Sequence, residues 1–290
     1  MKILISADME GATGVTWPAD VKPGTEQWQR FRAMLTSDVN ATVAGLYDAG
    51  ATSVVINEAH ATMRNLLLEK LDPRAVMITG RHKDLGMLEG IQRGDVDGVA
   101  FVGYHAGAGA EGVLAHTYLP NSITGVQVNG EPASEGRMNA FVSEEFGVPV
   151  ILITGDDRAC ADAATYAPQA QTAVVKECVT RYSALCPPPE VTAAAIRPAA
   201  AKAMTLAGRR PPASAGITPP GPTASGSAAK FEVEVEVDAA QLAQAAAIIP
   251  AVRRTGDRTV TYSSSTALEM MRWFRVVTTM ISSATEEQYG

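Results

Sequence analysis

MKILISADME (residues 1–10) runs as a short apolar stretch from Met1 to Ala7 and stops abruptly at Asp8, with Glu10 two positions further on. This is the pattern of a buried strand that delivers polar side chains at its C-terminal tip. The same pattern recurs outward along the chain. Ser53 to Asn57 (SVVIN) ends just before His60, and Ala75 to Thr79, Gly98 to Gly103 and Val148 to Thr154 are further apolar runs of strand length. Between the first two, Trp28, Phe31, Leu35, Val39, Val43 and Leu46 recur at helical spacing until Gly50, which supplies a C-cap. Strands alternating with helices predict an α/β fold, a mostly parallel twisted sheet with helices on both faces.

Two stretches depart from that alternation. ITGVQVNGEP (residues 123–132) alternates apolar and polar residues around Asn129-Gly130, which reads as a β-hairpin. From Pro187 to Ala229 a proline triplet, an alanine-rich helical segment and RRPPASAGITPPGPTASGSAA mark a boundary. We therefore expect a catalytic domain over 1–186, a connection over 187–229 and a small C-terminal α+β domain over 230–290. In the last, FEVEVEV (231–237) alternates strictly and reads as an antiparallel or edge strand, followed by helix, strand and helix. The proline-rich part from Arg209 to Ala229 is expected as an oligomer contact, because so long a loop is costly to leave free.

Composition narrows the function. At 290 residues with 46% apolar content the chain can bury a sizeable core. A formal charge of −7 without any Lys/Arg cluster argues against nucleic acid as a partner. No stretch approaches a membrane span, and Met1 to Glu10 lacks the form of a signal peptide. The three cysteines, Cys160, Cys178 and Cys186, form no CxxC pair, which fits reduced thiols and a cytoplasmic location.

Ligands of open parallel sheets bind at the carboxyl ends of the strands. His60 (in NEAH) and His105 (in VGYH) both follow apolar strands, His116 lies in the loop after the second, and His82 fits less cleanly. Asp8 and Glu10, two residues apart, point to one side of the tip if the strand continues through them. Carboxylate and imidazole donors without cysteine suit catalytic zinc, with cobalt or manganese as alternatives, and a shared carboxylate is the usual bridge between two cations. Taken singly, each residue is more ordinary: a strand-end Asp caps or turns, and a lone His hydrogen-bonds.

These residues fall in motifs that resemble the M55 D-aminopeptidases: Ser6-Ala7-Asp8-Met9-Glu10-Gly11, Asn57-Glu58-Ala59-His60, Gly103-Tyr104-His105-Ala106, Ala115-His116-Thr117, Glu135-Gly136-x-x-Asn139-Ala140 and Gly155-Asp156-Asp157-Arg158, in family order over about the first 160 residues. The resemblance implies two zinc ions per chain. Asp8 would bridge them, Glu10 and His60 would complete one site, and His105 and Glu135 the other. Glu135 comes only from the resemblance, since by itself it reads as a solvated acid at a helix start. His116 is implied as the acid/base or transition-state-stabilising residue. The resemblance further implies hydrolysis of the N-terminal amide of short peptides beginning with D-residues, such as D-Ala-D-Ala, by a homo-oligomeric ring, a decamer.

Other readings compete. Another dinuclear amidohydrolase or a β-aminopeptidase would need only different loops. A dinuclear phosphoesterase would bring D-x-H and G-N-H-[DE] elements, which are absent. A non-catalytic metal-binding module would use the same strand tips merely to fix a loop. Gly107-x-Gly109-x-x-Gly112 has the form of a dinucleotide fingerprint, but no helix start follows it, and it reads as an active-site loop. Asp157, at another strand tip, reads as the cap of the next helix.

Overall fold

The computed structural model describes residues 1–209 and 230–285. In chain order the elements are β1 (Lys2–Ala7), α1 (Pro18–Val21), α2 (Glu26–Asp48), β2 (Ser53–Glu58), β3 (Ala75–Ile78), β4 (Gly98–Tyr104), β5 (Ile123–Val128), β6 (Glu131–Pro132) and α3 (Glu135–Glu145). They continue with β7 (Val150–Asp156), α4 (Asp157–Tyr166), β8 (Gln171–Thr180), β9 (Ser183–Leu185), α5 (Pro189–Ala203), β10 (Phe231–Val237), α6 (Ala240–Ala246), β11 (Arg253–Arg254), β12 (Thr259–Ser264) and α7 (Ala267–Ser283). The proline-rich segment expected as an oligomer contact lies, beyond Arg209, outside the described residues.

The described chain forms two compact units. The first takes Met1–Ala106, Glu111–Leu114 and the residues from Asn139 to 209. Its sheet has seven strands in the order β3-β2-β1-β4-β7-β8-β9, parallel throughout except for the β8–β9 pair. Ile3, Ile5 and Ala7 of β1 bury one face in a core with Leu35, Val39, Val43 and Leu46 of α2 and Ala200 and Ala203 of α5. Each such Ile or Leu is fully buried, which contributes about 1.5–3 kcal/mol. On the other face the Ser6 hydroxyl donates to the Met87 carbonyl at 2.6 Å, in one of two short 3-10 turns that cover this side with α3. α2 starts where Thr25 accepts a hydrogen bond from the Trp28 N–H.

The second unit takes Gly107–Ala110, Ala115–Met138 and residues 230–285. Its sheet has five strands in the order β11-β12-β10-β5-β6, all antiparallel. The hairpin read at 123–132 is present as β5 and β6, turning at Asn129 and Gly130, both at positive φ. It joins the C-terminal strands, which a division of the chain at 186 and 229 does not anticipate. β10 is antiparallel as expected, but it is a central strand between β12 and β5 rather than an edge. Its alternation reports one-sided burial, with Phe231, Val233, Val235 and Val237 buried and the glutamates on the other face, a pattern that edge and central strands share. Met270, Phe274, Val277 and Ile281 of α7 are buried in the same unit. Among the described residues no helix is long and apolar enough to cross a membrane.

Candidate metal centre

β2, β1 and β4 are neighbours and parallel, so their C-terminal ends lie at one edge of the first unit's sheet. The ladder continues past them, through Asp8 N–H to the Val102 carbonyl and Ala59 N–H to the Ala7 carbonyl, each at 2.8 Å. Asp8, Glu10, His60 and His105 emerge from these tips and are all buried. Glu10 Oε1 lies 3.1 Å from His60 Nε2, and Asp8 Oδ2 lies 3.4 Å from His105 Nε2. Asp8, Glu10 and His105 each offer a donor atom, and these atoms lie within 4.8 Å of one another.

Both imidazoles are aimed by their far nitrogens. His105 Nδ1 bonds the Ala106 carbonyl at 2.9 Å, which requires a proton on Nδ1 and leaves the Nε2 lone pair facing Asp8. His60 Nδ1 faces Asn65 Oδ1 at 3.3 Å. Asn65 is fixed in turn: Trp28 Nε1–H donates to its Oδ1, and its own amide donates to the His60 carbonyl and the buried Glu58 carboxylate. Burial works to push the His60 imidazolium down, but the Glu10 charge and hydrogen bond, with Asp8 and Asn65 adding, raise its pKa to about 9. The cluster therefore demands positive charge. Without a metal a proton on His60 answers that demand, and a divalent cation would use the same lone pair. Two carboxylates and two imidazoles, with no thiolate, fit zinc.

His116 and Glu135 belong to the second unit, where both are buried and His116 Nε2 stands 4.0 Å from Glu135 Oε1. The Tyr118 N–H donates to the same carboxylate oxygen at 2.8 Å. Glu135 opens α3, as the sequence suggests, but it is buried rather than solvated. Leu114 and Tyr118, on either side of His116, adopt φ of +53° and +61°, and Ala61 and Met63 after His60 adopt +47° and +55°. Strain of this kind concentrates in loops whose shape is fixed by what they must present. Thus Asp8, Glu10, His60 and His105 come together in one unit and His116 and Glu135 in the other, while His82 lies exposed after β3.

The motif residues that are not candidate ligands have definable work. Tyr104 Oη bonds Ser6 Oγ at 2.8 Å and accepts from Asn139 at 3.3 Å, while Asn57 donates to the carbonyls of Gly86 and Met87. The Lys83 ammonium, which sequence reasoning did not single out, bonds Asn57 Oδ1 and the Glu58 carbonyl at 2.8 and 2.7 Å. Gly11 and Gly103 permit backbone contact between two tips: a Cβ on Gly11 would meet the Tyr104 carbonyl oxygen at 1.9 Å, and one on Gly103 the Asp8 carbonyl oxygen at 2.2 Å. The cap of α4 is Asp156, not Asp157. Its Oδ1 accepts from Ala159 N–H and its Oδ2 from Val113 N–H, because β7 extends two residues further than the apolar run. Asp157 instead accepts from the Cys178 N–H. No helix follows the glycine-rich stretch 107–112, consistent with a loop.

Comparison with known proteins bears on this arrangement. A family model described as D-aminopeptidase, peptidase family M55, matches residues 1–276. A D-aminopeptidase of Bacillus subtilis (strain 168) is 36% identical over 186 residues, covering 64% of this chain and 67% of its own. The solved structure of the Zn-dependent D-aminopeptidase DppA from Bacillus subtilis, described as a self-compartmentalizing protease, aligns over 100% of both chains with a TM-score of 0.88 at 29% identity.

Proposed function

Since the chain belongs to the M55 family of D-aminopeptidases, we propose that Asp8, Glu10, His60, His105 and Glu135 are the ligands of two zinc ions and that His116 is the catalytic residue. The protein is a metal-dependent aminopeptidase with a preference for D-amino acids. It acts on the N-terminal amide bond of short peptides of the D-Ala-D-Ala type. The observation that carries the metal reading is the buried set of two carboxylates and two imidazoles at three adjacent strand tips.

Bound zinc would supply Lewis acidity and an acidified water at neutral pH. The chain's own residues do the rest. Asp8 and Glu10 would supply the anionic charge that holds the metal, and the Nδ1 contacts of His60 and His105 keep each Nε2 directed toward those carboxylates. Glu135, fixed by the Tyr118 N–H, adds the further carboxylate. His116 stabilises the developing oxyanion or gives its proton to the leaving amine. The protein acts as a homo-oligomer, a decamer, in the cytoplasm. The self-compartmentalizing relative supports assembly, and three cysteines without a disulfide support a reducing compartment.

The test is elemental analysis of protein purified without chelator, paired with hydrolysis of D-Ala-D-Ala and L-Ala-L-Ala before and after chelation. Near two zinc ions per chain and chelator-sensitive, D-selective cleavage are expected. A metal-free, active chain would sink the dinuclear reading.

A further inference from the structure

Lys176 on β8 is a lysine in the interior, 1% exposed. Its ammonium donates to three backbone carbonyls, those of Glu10 (2.6 Å), Ala12 (2.9 Å) and Val15 (2.7 Å). An ammonium has three N–H donors, so all three are spent on one loop. That loop, Met9 to Val15, forms neither helix nor strand and carries Glu10. A second buried charge grips it from α2: Asp38 Oδ2 accepts from the Thr13 N–H at 2.8 Å and Asp38 Oδ1 from the Thr13 hydroxyl at 2.7 Å, with Thr192 Oγ1 2.9 Å from that hydroxyl. The Gly11 N–H is in turn bonded to the Gly103 carbonyl.

Burying an ammonium without a hydrogen-bonded carboxylate is expensive, and a well-packed apolar side chain would serve the core as well or better. What an apolar residue cannot do is hold three carbonyls of an irregular loop in one arrangement. We propose that Lys176 is a positioning residue of the metal centre: together with Asp38 on α2 it clamps the Met9–Val15 loop and so sets where the Glu10 carboxylate meets zinc. The inference rests on Glu10 being a zinc ligand, as argued above.

Full-length wild type, Glu10→Gln, Lys176→Met and Thr13→Val are stripped of metal and confirmed folded. Zinc affinity is then measured by competition with a chromophoric chelator, and the visible absorption of each Co(II)-loaded protein is recorded. Methionine keeps the apolar stem and removes the donors. We expect Glu10→Gln and Lys176→Met each to weaken zinc binding roughly 10- to 100-fold, with Lys176→Met also altering the cobalt bands. If Glu10→Gln weakens zinc and Lys176→Met leaves affinity and spectrum unchanged, Lys176 merely supports the fold and the proposal is overturned. If Glu10→Gln itself leaves zinc binding intact, the ligand reading fails and takes the proposal with it. Should Lys176→Met not fold, Thr13→Val reads the same loop from the Asp38 side: weaker zinc binding supports the clamp, and unchanged binding overturns it.

Discussion

His116 and Glu135 illustrate how little a single residue says before it is folded. In the sequence one is a loop histidine and the other a helix-start acid, yet both are buried with their polar atoms 4.0 Å apart. If His116 handles a proton rather than a metal, His116→Ala should keep its full zinc content by elemental analysis while turnover of D-Ala-D-Ala falls roughly 10²- to 10⁴-fold. Loss of zinc with the activity would instead make it a ligand. Asp38 supports a second prediction. Burial raises its carboxyl from the usual 3.8 to about 6, with the Thr13 hydrogen bonds and the Lys176 charge pulling it partly back. The folded chain thus keeps this proton to higher pH than the unfolded chain. The group's contribution to stability is complete below about pH 4 and is lost as pH rises through about 6, an effect on the order of 3 kcal/mol. In denaturant unfolding of the metal-free protein, Asp38→Asn should remove that much of the fall between those pH values, and an unchanged slope would refute it. The acids at strand tips were legible from their positions. Lys176, Asp38 and Lys83 were not, because nothing local distinguishes a lysine or aspartate that is buried from one that is solvated.

Among elements, the three strand tips act as one piece because their backbones touch. β4 bends at Gly103, φ +74°, which faces the Asp8 carbonyl oxygen too closely to admit a Cβ. Gly103→Ala should therefore push the β1 and β4 tips apart, lowering stability by more than about 3 kcal/mol and reducing zinc content together. A wild-type denaturation midpoint would show that the contact is dispensable. β1, β2, β3, β4 and β7 were readable as short continuous apolar runs that end in polar residues, and α2 by the helical spacing of its apolar residues. β8 was not, since exposed Val174 and Val179 share the strand with buried Lys176, so polarity no longer reports burial. β10 was recognised as a strand by its alternation, but its central position depends on which strands flank it, and β5 arrives from about a hundred residues earlier in the chain.

For the whole molecule, zinc and folding should be linked, because buried carboxylates that face one another in the absence of metal are costly. Chelation is expected to lower the unfolding midpoint and zinc to restore it, with a stabilisation of about 4 kcal/mol when free zinc is a thousandfold above its dissociation constant. A midpoint indifferent to chelator would argue that these acids are satisfied without metal. The sequence by itself determined the α/β class, the strand tips that end in Asp8, His60 and His105, and, through motifs in order, the family. Those follow from local periodicity and from residue identity at fixed spacing. Only the tertiary structure decided that the 123–132 hairpin completes the C-terminal sheet, that Asp156 rather than Asp157 caps α4, and that Lys176 reaches back to the Glu10 loop. The first and last are pairings between segments distant in sequence, set by which buried backbone groups remain to be hydrogen-bonded once the strands are in place, and the second turns on where β7 ends.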